Sequence, residues 1–186
     1  MPTIISLLRG INVGSSKTVT MRDLVSLYES LGLNNVRVYL RSGNILFDDP
    51  GWEPGKVSGM LEEQIGRLTG FPVKVILRDE NDLREIIRDN PFLNGAPRDV
   101  TRLHVTFLST NPSDDAVNEV NSIRDPTDSA RVHGREVYLF CPEGYGRTRF
   151  SNTFLEKRLG VAATTRNWKT VTMLAEMAGS TRPGSA

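Results

Sequence analysis

The sequence predicts an α+β fold of two tandem ferredoxin-like (β-α-β-β-α-β) subdomains, each followed by an extra helix. Short β-branched or apolar runs alternate with amphipathic segments, and the same order of segments occurs twice. The two occurrences are separated by residues 90–99, which hold two prolines and a glycine and show no periodicity. Because such a stretch is typical of a connection, we predict two four-stranded antiparallel sheets, each with helices on one face.

The first half begins with a strand and a helix. Apolar residues occupy both alternating sets of residues 3–8, as expected for a strand in the middle of a sheet. Thr20 and Asp23 have the spacing of a helix-capping box, and apolar residues then recur at helical spacing. Gly32 favours the left-handed conformation that ends a helix, so we predict a helix up to that residue.

The remaining elements follow from the same periodicities. In the first half they are a hairpin formed by residues 36–40 and 44–47, a helix at 57–68, a strand at 72–77 and a helix at 82–89. In the second half they are a strand at 104–108, a helix at 112–123, a hairpin at 130–141, a helix ending at 160, a strand at 162–166 and a helix at 168–178.

The subdomain limits follow from this order of elements. We place the first subdomain with its trailing helix at residues 1–92, the second at residues 100–180, and a flexible tail at residues 181–186. The halves share little residue identity, so the order of elements alone supports a duplication.

The composition is that of a soluble cytoplasmic protein. Apolar residues make up 38% and charged residues 24% of the 186 residues. No run approaches the roughly 18 consecutive apolar residues that a membrane span needs. The start of the chain lacks the basic region and the cleavage site of a signal peptide, so we predict a cytoplasmic location and no membrane partner.

Few residues suited to metal binding or group transfer are present. Cys141 is the single cysteine, and the two histidines, His104 and His133, lie in predicted strands. We therefore predict no metal site and no cofactor, and interpret these three side chains as structural. A net charge of +1 argues against binding of extended duplex nucleic acid.

Polar residues gather in two loops of the first half. A ferredoxin-like sheet has the strand order 4-1-3-2, so the loop after its first strand lies beside the start of its third strand. Arginine presents a planar fork that suits a carboxylate or phosphate. The alternative is that the glycines serve turns and the asparagines hydrogen-bond neighbouring backbone. The candidate ligand-binding residues of this half are Arg9, Asn12, Lys17, Arg41, Ser42 and Asn44.

A second polar cluster follows the third and fourth strands of the second half. A helix N-terminus preceded by glycines and arginines attracts anions, because its unpaired N–H groups point outward. The alternative is a loop-rich edge held by helix caps, with Trp168 covering the core. The candidate ligand-binding residues of this half are Arg147, Ser151, Asn152, Arg166 and Asn167.

No reaction follows from these residues. Residues 10–17 have the wrong spacing for a P-loop, and the chain has no Gly-x-Ser-x-Gly motif. The order of its serines, histidines and acidic residues does not indicate a catalytic triad, and no pair of carboxylates stands out for acid–base catalysis. Whether the protein is an enzyme and which oligomer it forms stay open. We expect it to bind a small anionic or phosphorylated metabolite in a polar groove between the subdomains, with Arg9 facing Arg166.

The alternative function is a protein or single-stranded RNA interaction module without catalysis. Aromatic residues on ferredoxin-like sheets can stack bases. However, the Arg/Lys-Gly-aromatic pattern expected on the third strand is missing from both halves, so core packing explains these aromatic residues better.

Three motifs carry a resemblance to a known family. They are Leu-Leu-Arg-Gly-Ile-Asn-Val-Gly from Leu7, Tyr-Leu-Arg-Ser-Gly-Asn from Tyr39 and Leu-Gly-Val-Ala-Ala-Thr-Thr-Arg-Asn-Trp from Leu159. At these separations the chain resembles, over residues 3–179, the bacterial family of uncharacterised proteins catalogued as domain of unknown function 1697. Ser15 replaces a glycine that is usual in that family. The resemblance implies two α/β-plait subdomains and no activity.

Overall fold

The computed structural model describes residues 1–14, 17–95 and 98–180. The first seven elements are β1 (Thr3–Arg9), α1 (Met21–Ser30), β2 (Arg37–Tyr39), β3 (Asn44–Asp48), α2 (Pro54–Thr69), β4 (Lys74–Asp79) and α3 (Glu80–Arg88). The next seven are β5 (Leu103–Leu108), α4 (Asp114–Ser122), β6 (Ser129–His133), β7 (Glu136–Phe140), α5 (Asn152–Leu159), β8 (Ala163–Asn167) and α6 (Trp168–Gly179). The predicted tail at 181–186 lies outside the described residues.

The strands form two four-stranded antiparallel sheets, as predicted. Their orders are β2-β3-β1-β4 and β6-β7-β5-β8. In the first sheet Leu7 pairs with Asn44 of β3, and Arg9 pairs with Lys74 of β4. The end of β1 therefore lies between the starts of β3 and β4. The described residues thus form a mixed α/β fold with two antiparallel sheets and six α-helices.

The chain divides into two compact units. The first contains Met1–Leu83 and a second piece that begins at Leu174, and the other contains Arg84–Met173. Helices α3 and α6 each contribute residues to both units. The limits that the sequence suggested, at residues 92 and 100, stay a prediction.

The core of the first unit lies between one sheet face and helices α1 and α2. Helix α1 begins as predicted, because the Thr20 hydroxyl accepts a hydrogen bond of 3.0 Å from the Asp23 N–H. Tyr28 is fully buried in this core, and its hydroxyl lies 2.7 Å from the Ser6 hydroxyl. This hydrogen bond satisfies both buried hydroxyls.

The second unit has a separate core on the helix-covered face of its sheet. Leu139, Phe150 and Leu155 are buried there, and Ser113 caps α4 as a side-chain acceptor. Cys141 is fully buried in the same core, and burial raises the pKa of its thiol to about 11. Its interpretation as a small apolar residue agrees with this position.

Several boundaries differ from the sequence prediction by a few residues, and two of these differences have an identifiable local reason. Helix α2 begins three residues early because Pro54 occupies the first helical position, where its missing N–H costs nothing. Strand β2 ends at Tyr39 because Leu40 adopts a positive φ of 62° and enters the turn. The spacing of apolar residues predicts neither the early start of α2 nor the early end of β2.

Replacing Gly59 by alanine should stabilise the first unit. Gly59 lies in the interior of α2, has ordinary helical backbone, and an added Cβ would meet no atom within 4 Å. Alanine is favoured over glycine in a helix by about 1 kcal/mol. We expect Gly59→Ala to raise the free energy of unfolding by that amount in urea titration. An unchanged or lower free energy of unfolding would contradict the prediction that a methyl group fits at this position without a clash.

Candidate functional site

The loop after β1 is closed by the side chain of Asn12. The Asn12 amide oxygen accepts from the Val19 N–H at 3.0 Å, and its NH₂ group donates to the carbonyls of Val19 at 3.1 Å and Arg41 at 2.8 Å. The Asn12 N–H donates to the Lys17 carbonyl at 2.6 Å. Asn12 itself adopts a left-handed φ of 51°, which asparagine tolerates better than most residues. One side chain thus fixes this loop against the β2–β3 turn.

The β2–β3 turn is held by Asn44. Its side chain is buried and donates to the Tyr39 carbonyl at 2.7 Å and to the Ser42 hydroxyl at 3.0 Å. The Gly43 carbonyl accepts from the Leu8 N–H at 2.9 Å, which joins the turn to β1. The two loops therefore meet at one end of the sheet. These contacts agree with the alternative interpretation, in which Asn12 and Asn44 hydrogen-bond neighbouring backbone groups.

Arg9 and Lys17 line one depression of about 570 Å³ beside α2, which we call the basic depression. Lys74, from the start of β4, lines it too. Lys74 was not among the residues predicted from the sequence, although the predicted strand order places the start of the fourth strand beside the end of the first. Two glutamates of α2, Glu62 and Glu63, are the acidic residues that line the same depression.

Both glutamates of the basic depression have partners. Glu62 accepts from the Lys74 ammonium at 2.9 Å and from the Val75 N–H at 3.1 Å. Glu63 pairs with Arg67 one helical turn away. Lys17 forms no ion pair with any described residue, and its ammonium lies 5.5 Å from the centre of the Phe71 ring. The depression therefore keeps positive charge on the side of the β1–α1 loop.

Arg41 lines a different depression. This one, of about 500 Å³, is lined also by Thr18, Met21 and Leu68 and shares no lining residue with the basic depression. Arg41 is exposed, and its carbonyl rather than its guanidinium contacts Asn12. The structure thus brings the backbones of the two predicted loops together but separates the guanidinium of Arg41 from the basic depression.

In the second unit, Ser151 and Asn152 begin α5. The Ser151 hydroxyl accepts from the Phe154 N–H at 3.2 Å and caps the helix. The Asn152 amide oxygen accepts from the Thr165 hydroxyl at 2.7 Å and from the Tyr145 hydroxyl at 3.5 Å. These contacts match the alternative of an edge held by caps. Arg147 is exposed on a short 3₁₀ turn, Tyr145–Arg147.

Arg166 is the most unusual of the predicted residues because it is almost fully buried. Its Nη1 donates to the Thr164 hydroxyl at 2.8 Å and to the Thr165 carbonyl at 3.0 Å. Burial lowers the pKa of the guanidinium to about 10, and the Tyr145 hydroxyl opposes that change. Asn167 caps α6 by accepting from the Thr170 N–H. The predicted sharing of one groove by both clusters stays a prediction.

His104 was predicted to be structural, but the sequence did not show its contact with this cluster. Its ring stacks on Tyr145 with centroids 5.0 Å apart. Its Nδ1 is buried without a hydrogen-bond partner among the described residues. Burial lowers the pKa of His104, although a hydrogen bond with the Arg102 backbone partly opposes this. The ring is therefore neutral at pH 7.

Protonation of His104 should destabilise the protein at mildly acidic pH. Because its pKa is lower in the folded state, the unfolded state binds more protons, and stability falls as pH decreases below about 6.5. We expect His104→Phe, which keeps a ring against Tyr145, to show a smaller loss of stability between pH 7 and pH 5 in urea titrations. His133→Gln, at an exposed position on β6, is the control and should keep the wild-type loss.

The described residues hold no group of three or more histidine, cysteine, aspartate or glutamate side chains placed to bind a metal ion. Within the same ranges, no helix is both long enough and apolar enough to cross a bilayer.

Comparisons with known proteins identify a family without an assigned activity. The family described as "Protein of unknown function (DUF1697)" matches residues 1–138. No curated protein matches the chain. Among solved structures, the chain is similar to the conserved bacterial protein SP0830 from Streptococcus pneumoniae, with 24% identity and a TM-score of 0.73. The likeness covers 95% of this chain and 98% of that one and concerns the fold alone.

Proposed function

The chain belongs to the DUF1697 family of proteins of unknown function, and from that premise we propose that it binds a small anionic metabolite, carrying a phosphate or carboxylate, in the basic depression. The observation that carries the proposal is the position of Lys17 and Arg9 on one depression whose two glutamates already have partners. The proposal includes no reaction.

The size of the basic depression suits a metabolite rather than a bare ion. About 570 Å³ falls within the usual range for small-molecule sites, roughly 300–1,000 Å³. Charge-assisted hydrogen bonds to a phosphate or carboxylate are about twice as strong as neutral ones, so a few cations suffice for binding. The closed β1–α1 loop supports the proposal because Asn12 fixes the backbone that carries Lys17.

Removing Lys17 tests the proposal. A panel of sugar phosphates, nucleotides and dicarboxylates is screened by thermal shift, since a ligand at 100 times its Kd stabilises by about 2.7 kcal/mol. We expect Lys17→Ala to weaken the best ligand roughly tenfold, because a hydrogen bond to a charged group contributes about 1.5–3 kcal/mol. Its melting temperature without ligand should stay unchanged, because Lys17 is exposed.

Lys56→Ala provides the matched control. Lys56 is an exposed lysine of α2 that does not line the basic depression. Equal weakening by both variants would indicate a general effect of net charge and would reject the site. A shift caused by single-stranded RNA but by no metabolite would favour the interaction-module alternative.

We also propose that both units are ferredoxin-like and derive from a duplication. Support comes from two buried arginines in equivalent positions. Arg78 on β4 pairs with Ile5, the third residue of β1, and Arg166 on β8 pairs with Val105, the third residue of β5. In each unit the residue after the arginine accepts a hydrogen bond from the start of the next helix.

The subdomain limits and the location complete the proposal. Subdomains at residues 1–92 and 100–180 are supported by the repeated order of elements. A cytoplasmic location is supported by the single cysteine, Cys141, since disulfides predominate in oxidising compartments and this thiol is buried.

A further inference from the structure

Three arginines line one depression of about 290 Å³ at the edge of the second sheet, which we call the arginine depression. Arg98 precedes β5, Arg124 follows α4, and Arg131 lies on the edge strand β6. None of the three was singled out from the sequence, because they are distant along the chain. In the described part of the chain none of them forms an ion pair.

Arg98 is held by aromatic rings instead of by a carboxylate. The centre of its guanidinium lies 4.7 Å from the centroid of Phe140 and 5.5 Å from that of Phe92. The attraction of a guanidinium to an aromatic ring uses none of its N–H groups as hydrogen-bond donors. The two rings therefore hold Arg98 in place without using the N–H groups that a ligand would need.

Arg124 and Arg131 are anchored at the end of α4. Nη1 of Arg124 donates to the carbonyls of Asn121 and Ser122 at 3.3 and 3.4 Å, and Nη1 of Arg131 donates to the Asn121 carbonyl at 3.3 Å. Cations are favoured at a helix C-terminus, so capping explains where these side chains lie. Each uses one nitrogen for these long bonds, and the other guanidinium nitrogens remain for a ligand.

Two carboxylates share the arginine depression without neutralising it. Asp125 accepts from the N–H groups of Thr127 and Asp128, and these bonds lower the pKa of its carboxyl group. Its other oxygen lies 3.8 Å from Arg149, outside the depression's lining. Asp128 also lines the depression and forms no ion pair with a described residue. The three guanidiniums thus outnumber the carboxylates and are not bound to them.

We propose that the arginine depression binds a phosphate monoester through Arg98, Arg124 and Arg131. The proposal concerns a second site and does not depend on the basic depression. A terminal phosphate group carries close to two negative charges and three strong acceptor oxygens, which match several guanidinium forks at once. A small depression admits such a group together with a short organic part.

The shape of the site favours a monoester over a nucleic acid. Single-stranded nucleic acid binds in positively charged grooves that follow several phosphodiesters, each with one charge, beside aromatic faces exposed for stacking. Here the cations surround one compact depression, and the aromatic faces nearest to them are covered by Arg98.

Arginine modification mapped by mass spectrometry tests the site residue by residue. The full-length protein is treated with phenylglyoxal alone, with inorganic phosphate, with phenyl phosphate and with dimethyl phosphate, a diester. We expect phosphate and phenyl phosphate to slow modification of Arg98, Arg124 and Arg131, and dimethyl phosphate to have little effect. Arg22, exposed on α1, is the reference and should react equally in all four samples.

Variants separate this inference from the proposed function. Arg98→Gln should weaken phenyl phosphate binding roughly tenfold, as expected for loss of one charged hydrogen-bond donor, whereas Arg22→Gln should not. Lys17→Ala should leave protection of Arg98 intact. Equal protection of Arg22, protection by an oligonucleotide or the diester alone, or protection confined to Arg9 would each overturn the inference. Protection confined to Arg9 would leave the proposed function standing.

Discussion

Replacing Gly43 by alanine should destabilise the first unit by about 2–5 kcal/mol. Gly43 has a φ of 82°, where a Cβ costs about 1–2 kcal/mol. The added Cβ would lie 2.7 Å from Ile11 Cδ1 and 2.8 Å from Leu8 Cβ. Leu8 Cβ is fixed to the backbone of the central strand, so relief requires movement of the turn, and such overpacking costs about 1–3 kcal/mol.

Gly70→Ala is the matched control for this prediction. Gly70 has a similar φ of 77° at the end of α2, but an added Cβ there would meet no atom within 4 Å. We expect Gly70→Ala to lower the free energy of unfolding only by the cost of a Cβ at positive φ, about 1–2 kcal/mol. Urea unfolding followed by the fluorescence of Trp52, in a Trp168→Phe background, reports the first unit. Equal losses for both alanines would contradict the close approach of the turn to β1.

The order of elements could be predicted because apolar periodicity records which face of each segment is buried. The strand around Ile5 is apolar on both alternating sets, which correctly predicted a central strand. The early start of α2 and the short β2 could not be predicted in this way. They depend on single-residue backbone geometry at Pro54 and Leu40, which leaves no trace in a hydrophobic pattern.

The candidate residues Asn12 and Asn44 lie at one end of the first sheet, but their roles depend on contacts that no local pattern reveals. Asn12 and Asn44 share the amide chemistry of a ligand site, and in the structure they hold backbone. The burial of Arg78 was not predicted because a charged residue in a strand is usually exposed, whereas this residue is 2% exposed. Burial of this kind is decided by residues distant in sequence.

Replacing Asn12 by alanine should release the β1–α1 loop. The change removes three side-chain hydrogen bonds, each contributing about 1 kcal/mol, and places a less tolerant residue at φ 51°. The loop can avoid much of this cost by opening locally, since it is partly exposed. We therefore expect amide exchange in residues 10–20 to accelerate at least roughly tenfold, with a smaller loss of global stability.

Asn12→Gly separates the two contributions of this side chain. Glycine tolerates a positive φ but restores none of the three hydrogen bonds, so exchange should stay faster than in the wild type and slower than in Asn12→Ala. Both variants should also weaken the binding of any anion at the basic depression, because the lost side-chain hydrogen bonds hold the backbone of Val19, two residues after Lys17. If Asn12→Gly kept the slow exchange of the wild type, backbone geometry alone would hold the loop. If exchange stayed as slow as in the wild type but anion binding were lost, Asn12 would instead contact the ligand directly.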